Sequence, residues 1–164
     1  MVDKELLTDL FNLLDPLTVV FNEFPLDEYS LEVKQLYHYI KENPEITPEQ
    51  IGNRIYFPGS DATLEKCILL GSIYLNLTNE IIKYKRHSLI KDILNMWDPF
   101  FKLDGIPKNT DYSPYVKEII LHNKISTINL EYTKMLLFKE NPKIDNRDNS
   151  VKIFINLVNK VLNL

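Results

Sequence analysis

Apolar residues recur at helical spacing along most of the chain. Leu6, Leu7, Leu10, Phe11, Leu13 and Leu14 line one face of a first helix, the 3.6-residue pattern of an amphipathic helix. Asp15-Pro16 should end it, because proline disfavours the α conformation at the residue before it. Ser30 reads as the N-cap of a helix over 31–42, its hydroxyl accepting from an orphan helical N–H. Thr47-Pro48-Glu49-Gln50 reads as cap, proline and capping-box glutamine, opening a helix through Ile51, Ile55 and Tyr56. A longer helix over roughly 61–82 opens near Ser60-Asp61, with Leu64, Ile68, Leu69, Ile73 and Leu77 inward. The same grammar then returns. Ile90, Ile93, Leu94, Met96 and Trp97 precede Asp98-Pro99, and Ser113-Pro114 opens a helix over 114–123. Ser126-Thr127 opens one through Leu130, Met135, Leu136 and Leu137 to Phe138. Asp148-Asn149-Ser150 opens the last, through Ile153, Phe154, Leu157, Val158, Val161 and Leu162. No convincing period-2 alternation occurs, so strand content should be low. Short extended pieces are expected only at Leu17-Thr18-Val19-Val20-Phe21 and Phe100-Phe101-Lys102-Leu103.

The returning grammar is an internal repeat. Sliding the sequence by 83 positions aligns Leu6–Leu36 with Leu89–Ile119 at nine ungapped identities. They are Leu6/Leu89, Asp9/Asp92, Asn12/Asn95, Asp15/Asp98, Pro16/Pro99, Tyr29/Tyr112, Ser30/Ser113, Val33/Val116 and Lys34/Lys117. Two amphipathic helices would share leucines and isoleucines. They would not share an Asp-Pro followed 13 residues after the proline by Tyr-Ser. The expected fold is therefore all-α: a tandem duplication of a roughly three-helix unit, residues 1–82 and 83–164, packed into one helical bundle domain.

Charge separates the two copies. The whole chain carries −4, but residues 1–82 hold 5 Lys/Arg and 14 Asp/Glu, net −9, whereas residues 83–164 hold 14 and 9, net +5. Lysine outnumbers arginine 16 to 3, which reads as the codon bias of an AT-rich genome. The single cysteine, Cys67, excludes an intramolecular disulfide and points to a reducing compartment. The first residues, Met-Val-Asp-Lys-Glu, place acids where a secretion signal needs cations and then a wholly apolar run. No apolar run reaches the ~20 residues that cross a bilayer. A cytoplasmic location follows as the expectation, with no membrane partner.

Few residues point to chemistry. Asp15 and Asp98 each follow a helix and precede a proline. Their carboxylates either cap a backbone N–H, accept from the Tyr29 or Tyr112 hydroxyl of the same copy, or form a symmetric pair of binding groups. His38, His87 and His122 stand at no metal-ligand spacing from one another or from Cys67. Cys67 sits in an apolar stripe and reads as core. Gly-X-Ser-X-Gly, phosphate-loop and His-Glu-X-X-His motifs do not occur. No metal, no cofactor and no enzymatic activity are expected. Lys83-Tyr84-Lys85-Arg86-His87 reads as a solvated joint, and the acidic sequence pI near 5.4 argues against nucleic acid. The most suggestive group is acidic: Glu23, Asp27, Glu28 and Glu32 crowd the first loop and the helix start after it. A helix N-terminus favours Glu32, and Glu28 to a lesser extent. Glu23 and Asp27 have no such reason, and an exposed acidic surface steers association with a basic partner.

Trp97-Asp98-Pro99, a loop, and Glu28-Tyr29 resemble the Trp-Asp-Pro and Glu-Tyr elements of a family of small helical bacterial proteins of uncharacterised function. Each element matches best in a different copy, with Leu14 in place of the tryptophan and Asp111 in place of the glutamate in the other. The signature residues are Asp15, Pro16, Tyr29 and Ser30, and Trp97, Asp98, Pro99, Tyr112 and Ser113; they are expected to be mostly structural. Proteins of this general form are similar to immunity proteins that accompany bacterial toxins. That resemblance implies a non-enzymatic inhibitor, monomeric or weakly dimeric. It would cover the active site of a basic, nuclease-type toxin domain through Glu23, Asp27, Glu28 and Glu32. The alternative is a helical adaptor whose groove receives a partner helix.

Overall fold

The computed structural model of the chain describes residues 2–16, 29–60, 62–79, 86–100, 110–138 and 148–164. Among them are eight α-helices and no strand. The chain divides into two compact units, Met1–Ile81 and Ile82–Leu164.

In the first unit, α1 (Lys4–Leu14) starts under Asp3, whose carboxylate accepts from the Leu6 N–H at 2.9 Å. The Asp3 N–H in turn donates to the Tyr74 hydroxyl at 3.0 Å, tying the chain start to the last helix of the unit. Asp15 closes α1 in the left-handed region, φ 44° and ψ 62°, with its N–H on the Phe11 carbonyl. Pro16 explains the stop, since it bars Asp15 from continuing the helix. Aspartate is among the few side chains that tolerate this backbone. Next, α2 (Ser30–Glu42) turns Val33, Leu36 and Ile40 inward. A capping box opens α3 (Pro48–Ile55): the Gln50 N–H donates to Thr47 Oγ1 at 3.3 Å, and the Thr47 N–H to Gln50 Oε1 at 2.9 Å. Finally α4 (Leu64–Thr78) buries Cys67, Leu70, Gly71, Ile73, Tyr74 and Leu77.

The α3–α4 pair is held at backbone distance by two glycines. A Cβ on Gly52 would stand 2.4 Å from Ile68 Cγ1 and 2.7 Å from the Ile68 Cα. One on Gly71 would stand 2.9 Å from both the Ile51 Cβ and the Pro48 carbonyl oxygen. Only glycine fits at either contact.

The second unit repeats the order with α5 (Arg86–Trp97), α6 (Ser113–Asn123), α7 (Leu130–Phe138) and α8 (Asp148–Asn163). Asp98 closes α5 with φ 48°; it and Asp15 are the only non-glycine residues of positive φ among those described. Its N–H bonds the Leu94 carbonyl at 2.7 Å, as Asp15 bonds Phe11. The core gathers Ile90, Ile93, Leu94, Trp97, Val116, Ile119, Phe154, Leu157, Val158 and Val161. Trp97 lies against Phe154 with ring centroids 5.1 Å apart. Lys134 of α7 pairs with Asp148 of α8 at 2.9 Å.

Several details differ from the sequence expectation. Each unit has four described helices, matching the four helical stretches read in each copy but not the roughly three-helix unit expected from them. Ser30 and Ser113 are the first helical residues, and the capping positions belong to Tyr29 and Tyr112, which make no side-chain cap bond. Instead, the Ser113 N–H is met at 3.0 Å by the carboxylate of Asp111. Thr63, not Ser60-Asp61, caps α4, accepting from the Lys66 N–H at 3.2 Å. Asn129, not Ser126-Thr127, caps α7, accepting from the Tyr132 N–H at 2.8 Å. Phe100 is helical, not extended, and residues 17–21 and 101–103 lie outside the described residues.

Candidate functional site

The aspartate of the shared Asp-Pro and the tyrosine of the shared Tyr-Ser come together within each unit. In the first, the Tyr29 hydroxyl donates to Asp15 Oδ1. Both residues are buried, Asp15 at 4% exposure. Phe11 packs its ring edge-on to Tyr29 at 5.1 Å, and Lys66 Nζ reaches the Asp15 carbonyl oxygen at 3.3 Å. In the second, the Tyr112 hydroxyl donates to Asp98 Oδ1 at 2.8 Å and accepts from the Phe100 N–H at 3.2 Å. Burial raises the Tyr112 pKa; the Phe100 N–H opposes that and the Asp98 bond adds to it. The phenol therefore remains a donor across the physiological range.

The geometry explains the residue types. An aspartate in the left-handed cap position turns the chain out of α1 or α5 and aims its carboxylate back at the tyrosine that precedes α2 or α6. The bond joins the residue that ends α1 or α5 to the one that precedes α2 or α6, 14 residues apart in each unit. The two carboxylates are engaged separately, one in each unit, by their own tyrosines. Asp111 adds a further tie at the start of α6. The bond from the Ser113 N–H leads in holding its carboxyl below the usual range, and Lys91 stands 3.8 Å away.

Of the acidic group, Glu23, Asp27 and Glu28 lie outside the described residues. Glu32, in the first turn of α2, is half-buried, with Oε2 enclosed and making no hydrogen bond among the described residues. A second acidic stretch shows in the structure: Glu42, Glu45 and Glu49 are all exposed between the end of α2 and the start of α3. Sequence reading passed over it because each glutamate suited a local role, last turn, turn or first turn.

The remaining candidates have structural surroundings. Cys67 is fully buried, and burial pushes its thiol up to about 11 against the opposing pull of Lys66. The thiolate that a nucleophile needs is thus disfavoured. His122 stacks on Tyr132 with centroids 3.6 Å apart and planes 11° from parallel, joining α6 to α7. His38 is exposed on α2. Among the described residues, no group of three or more His, Cys, Asp or Glu could hold a metal ion. No helix among them is long and apolar enough to cross a membrane.

The arrangement offers hydrogen-bonded ties between helix ends and a charged surface; no family model, curated protein or solved structure matches the chain.

Proposed function

We propose that the chain is a duplicated four-helix unit that acts as a non-enzymatic binding protein. It would be an immunity-type inhibitor covering the active site of a basic toxin domain, of nuclease type, in the bacterial cytoplasm. The observation that carries this reading is the partition of charge. Moved to the boundary between the units, the division still gives −9 for residues 1–81 and +5 for residues 82–164. A scaffold alone has no need of such a difference, whereas association with a cationic active site gains speed and selectivity from it. The duplication is supported by helix positions over the whole chain. Shifted by 83, α1 to α4 start within two residues of α5 to α8. The non-enzymatic reading is supported by the tyrosine hydroxyls that engage Asp15 and Asp98, the two carboxylates that a paired acid–base mechanism would have used.

The test is co-expression with the gene next to this one, which the proposal expects to encode a basic toxin domain. A stable complex and protection of the cell are expected, both weakened when Glu23, Asp27, Glu28 and Glu32 are changed to glutamine. Absence of both complex and protection contradicts the proposal. The second reading, an adaptor that receives a partner helix, is favoured by the exposed Leu121, Ile125 and Met135 of the second unit. It predicts binding that is indifferent to those four acidic changes.

A further inference from the structure

We infer that the exposed side of α6 is a docking face for the acidic first unit of a second copy of this chain. Lys117, Leu121 and Lys124 recur at i, i+4 and i+7 and are all exposed, with Ile125 in the turn that follows. Leu121 is 52% exposed and Ile125 is 88% exposed. The scaffold does not require apolar residues at these places. The positions 83 residues earlier carry His38 and Glu42, also exposed, on the equivalent helix α2. The apolar pair belongs to the second unit alone, and leaving it in water forgoes transfer free energy.

Charge selects the occupant. The stripe is flanked by two lysines in a unit of net +5, so it fits a surface that is acidic and partly apolar. The first unit is such a surface. It has net charge −9, exposes Glu42, Glu45 and Glu49 at the α2–α3 corner, and leaves Leu31 and Phe57 exposed as well. Opposite charges steer and register the encounter, while the apolar side chains supply the affinity. Each chain carries both faces, so a second copy can supply the acidic one to the α6 stripe. The inference does not rest on the inhibitor reading. A basic partner drawn to the first unit would compete with the second copy for it.

Sedimentation equilibrium of the full chain tests this at about 0.05 M and about 0.5 M salt, since screening over that range shortens the reach of surface charge severalfold. A reversible dimer is expected at the lower salt, weakened at the higher. Ile125→Glu should weaken it by about 30-fold or more, as removal of a central apolar contact does. Lys117→Glu should weaken it by about tenfold through like-charge repulsion. Both positions are exposed, so the helicity read by circular dichroism should stay at the wild-type level. A chain that is monomeric at low salt up to about 100 µM, a concentration that populates even a weak dimer, overturns the inference. So does a dimer unaffected by both substitutions.

Discussion

The two units share a helix order and the same aspartate–tyrosine bond, yet they fill the space behind it in opposite ways. In the first, Leu14 ends α1, Gly71 lies in α4, and Gly52 lets α3 approach α4 at backbone distance. In the second, the corresponding places hold Trp97, Phe154 and Met135. Trp97 and Phe154 take up the volume as an aromatic pair, and Met135 points to solvent at 59% exposure. One unit is cemented by close backbone contact and the other by side-chain bulk. The link between the second and third helices differs in the same manner. Arg54 of α3 lies over the Tyr39 ring at 5.0 Å, whereas His122, at the position equivalent to Tyr39, stacks on Tyr132 of α7. What the units have in common is the cap that turns the chain and the tyrosine that holds it. Volume and charge differ around that frame.

The comparison can be broken most severely at the aromatic pair. Phe154→Ala should cost about 3–5 kcal/mol, because it empties a fully buried site against Trp97. Urea denaturation with Trp97 fluorescence reads this directly, since Trp97 is the only tryptophan. At the equivalent end of the first unit the harm comes from adding volume. Gly52→Ala should cost about 3 kcal/mol through overpacking against the α4 backbone. Met135→Ala, at the matching place in α7, should stay within about 0.5 kcal/mol, as exposed substitutions do. Equal effects of these two would dissolve the distinction between the units.

The shared bond should respond alike in both. Tyr29→Phe and Tyr112→Phe should each cost about 1.5–3 kcal/mol, the range for a hydrogen bond to a charged group. A loss confined to one unit, seen as unequal changes in denaturation midpoint, would mean that the motif holds only one of them. The smallest expected effect concerns Asp92 of α5. Burial raises its pKa, with Lys91 opposing. The folded-state pKa then exceeds the unfolded one, so stability falls as pH rises through the carboxylate range. Asp92→Asn should therefore stabilise the protein slightly at pH 7 and have no such benefit near pH 3, as thermal melts at the two pH values will show.

Much of this architecture was legible in the sequence, for definite reasons. The Asp-Pro stops and the Thr47–Gln50 box are local devices, complete within four residues, so they could be read without tertiary knowledge. The pairing of Asp15 with Tyr29 and Asp98 with Tyr112 was open to view because the same separation occurs twice. Three features were not legible. Gly52 reads locally as a weak point in a helix, and its purpose exists only through Ile68 across the α3–α4 contact. Asn129 was hidden behind Ser126-Thr127, an equally good cap three residues earlier. Leu121 and Ile125 have the same composition as core residues, and only their placement on the outer side of α6 and its turn reveals them as surface. Three of the four residues in the acidic candidate group, Glu23, Asp27 and Glu28, lie outside the described residues, so their role rests on charge alone.

The central claim is that a common scaffold carries different work in its two units, with partner binding in the acidic one. The most direct measurement is the association rate constant for the basic toxin domain that the proposal expects the neighbouring gene to encode, at low salt, with two full-length variants. One has Glu23, Asp27, Glu28 and Glu32 changed to glutamine (or asparagine for Asp27). The other has Lys117 and Lys124 changed to glutamine. Loss of electrostatic steering should slow the first by roughly tenfold to a hundredfold and leave the second at or above the wild-type rate. A first variant that associates as fast as wild type, or a second that is the slower of the two, contradicts the claim.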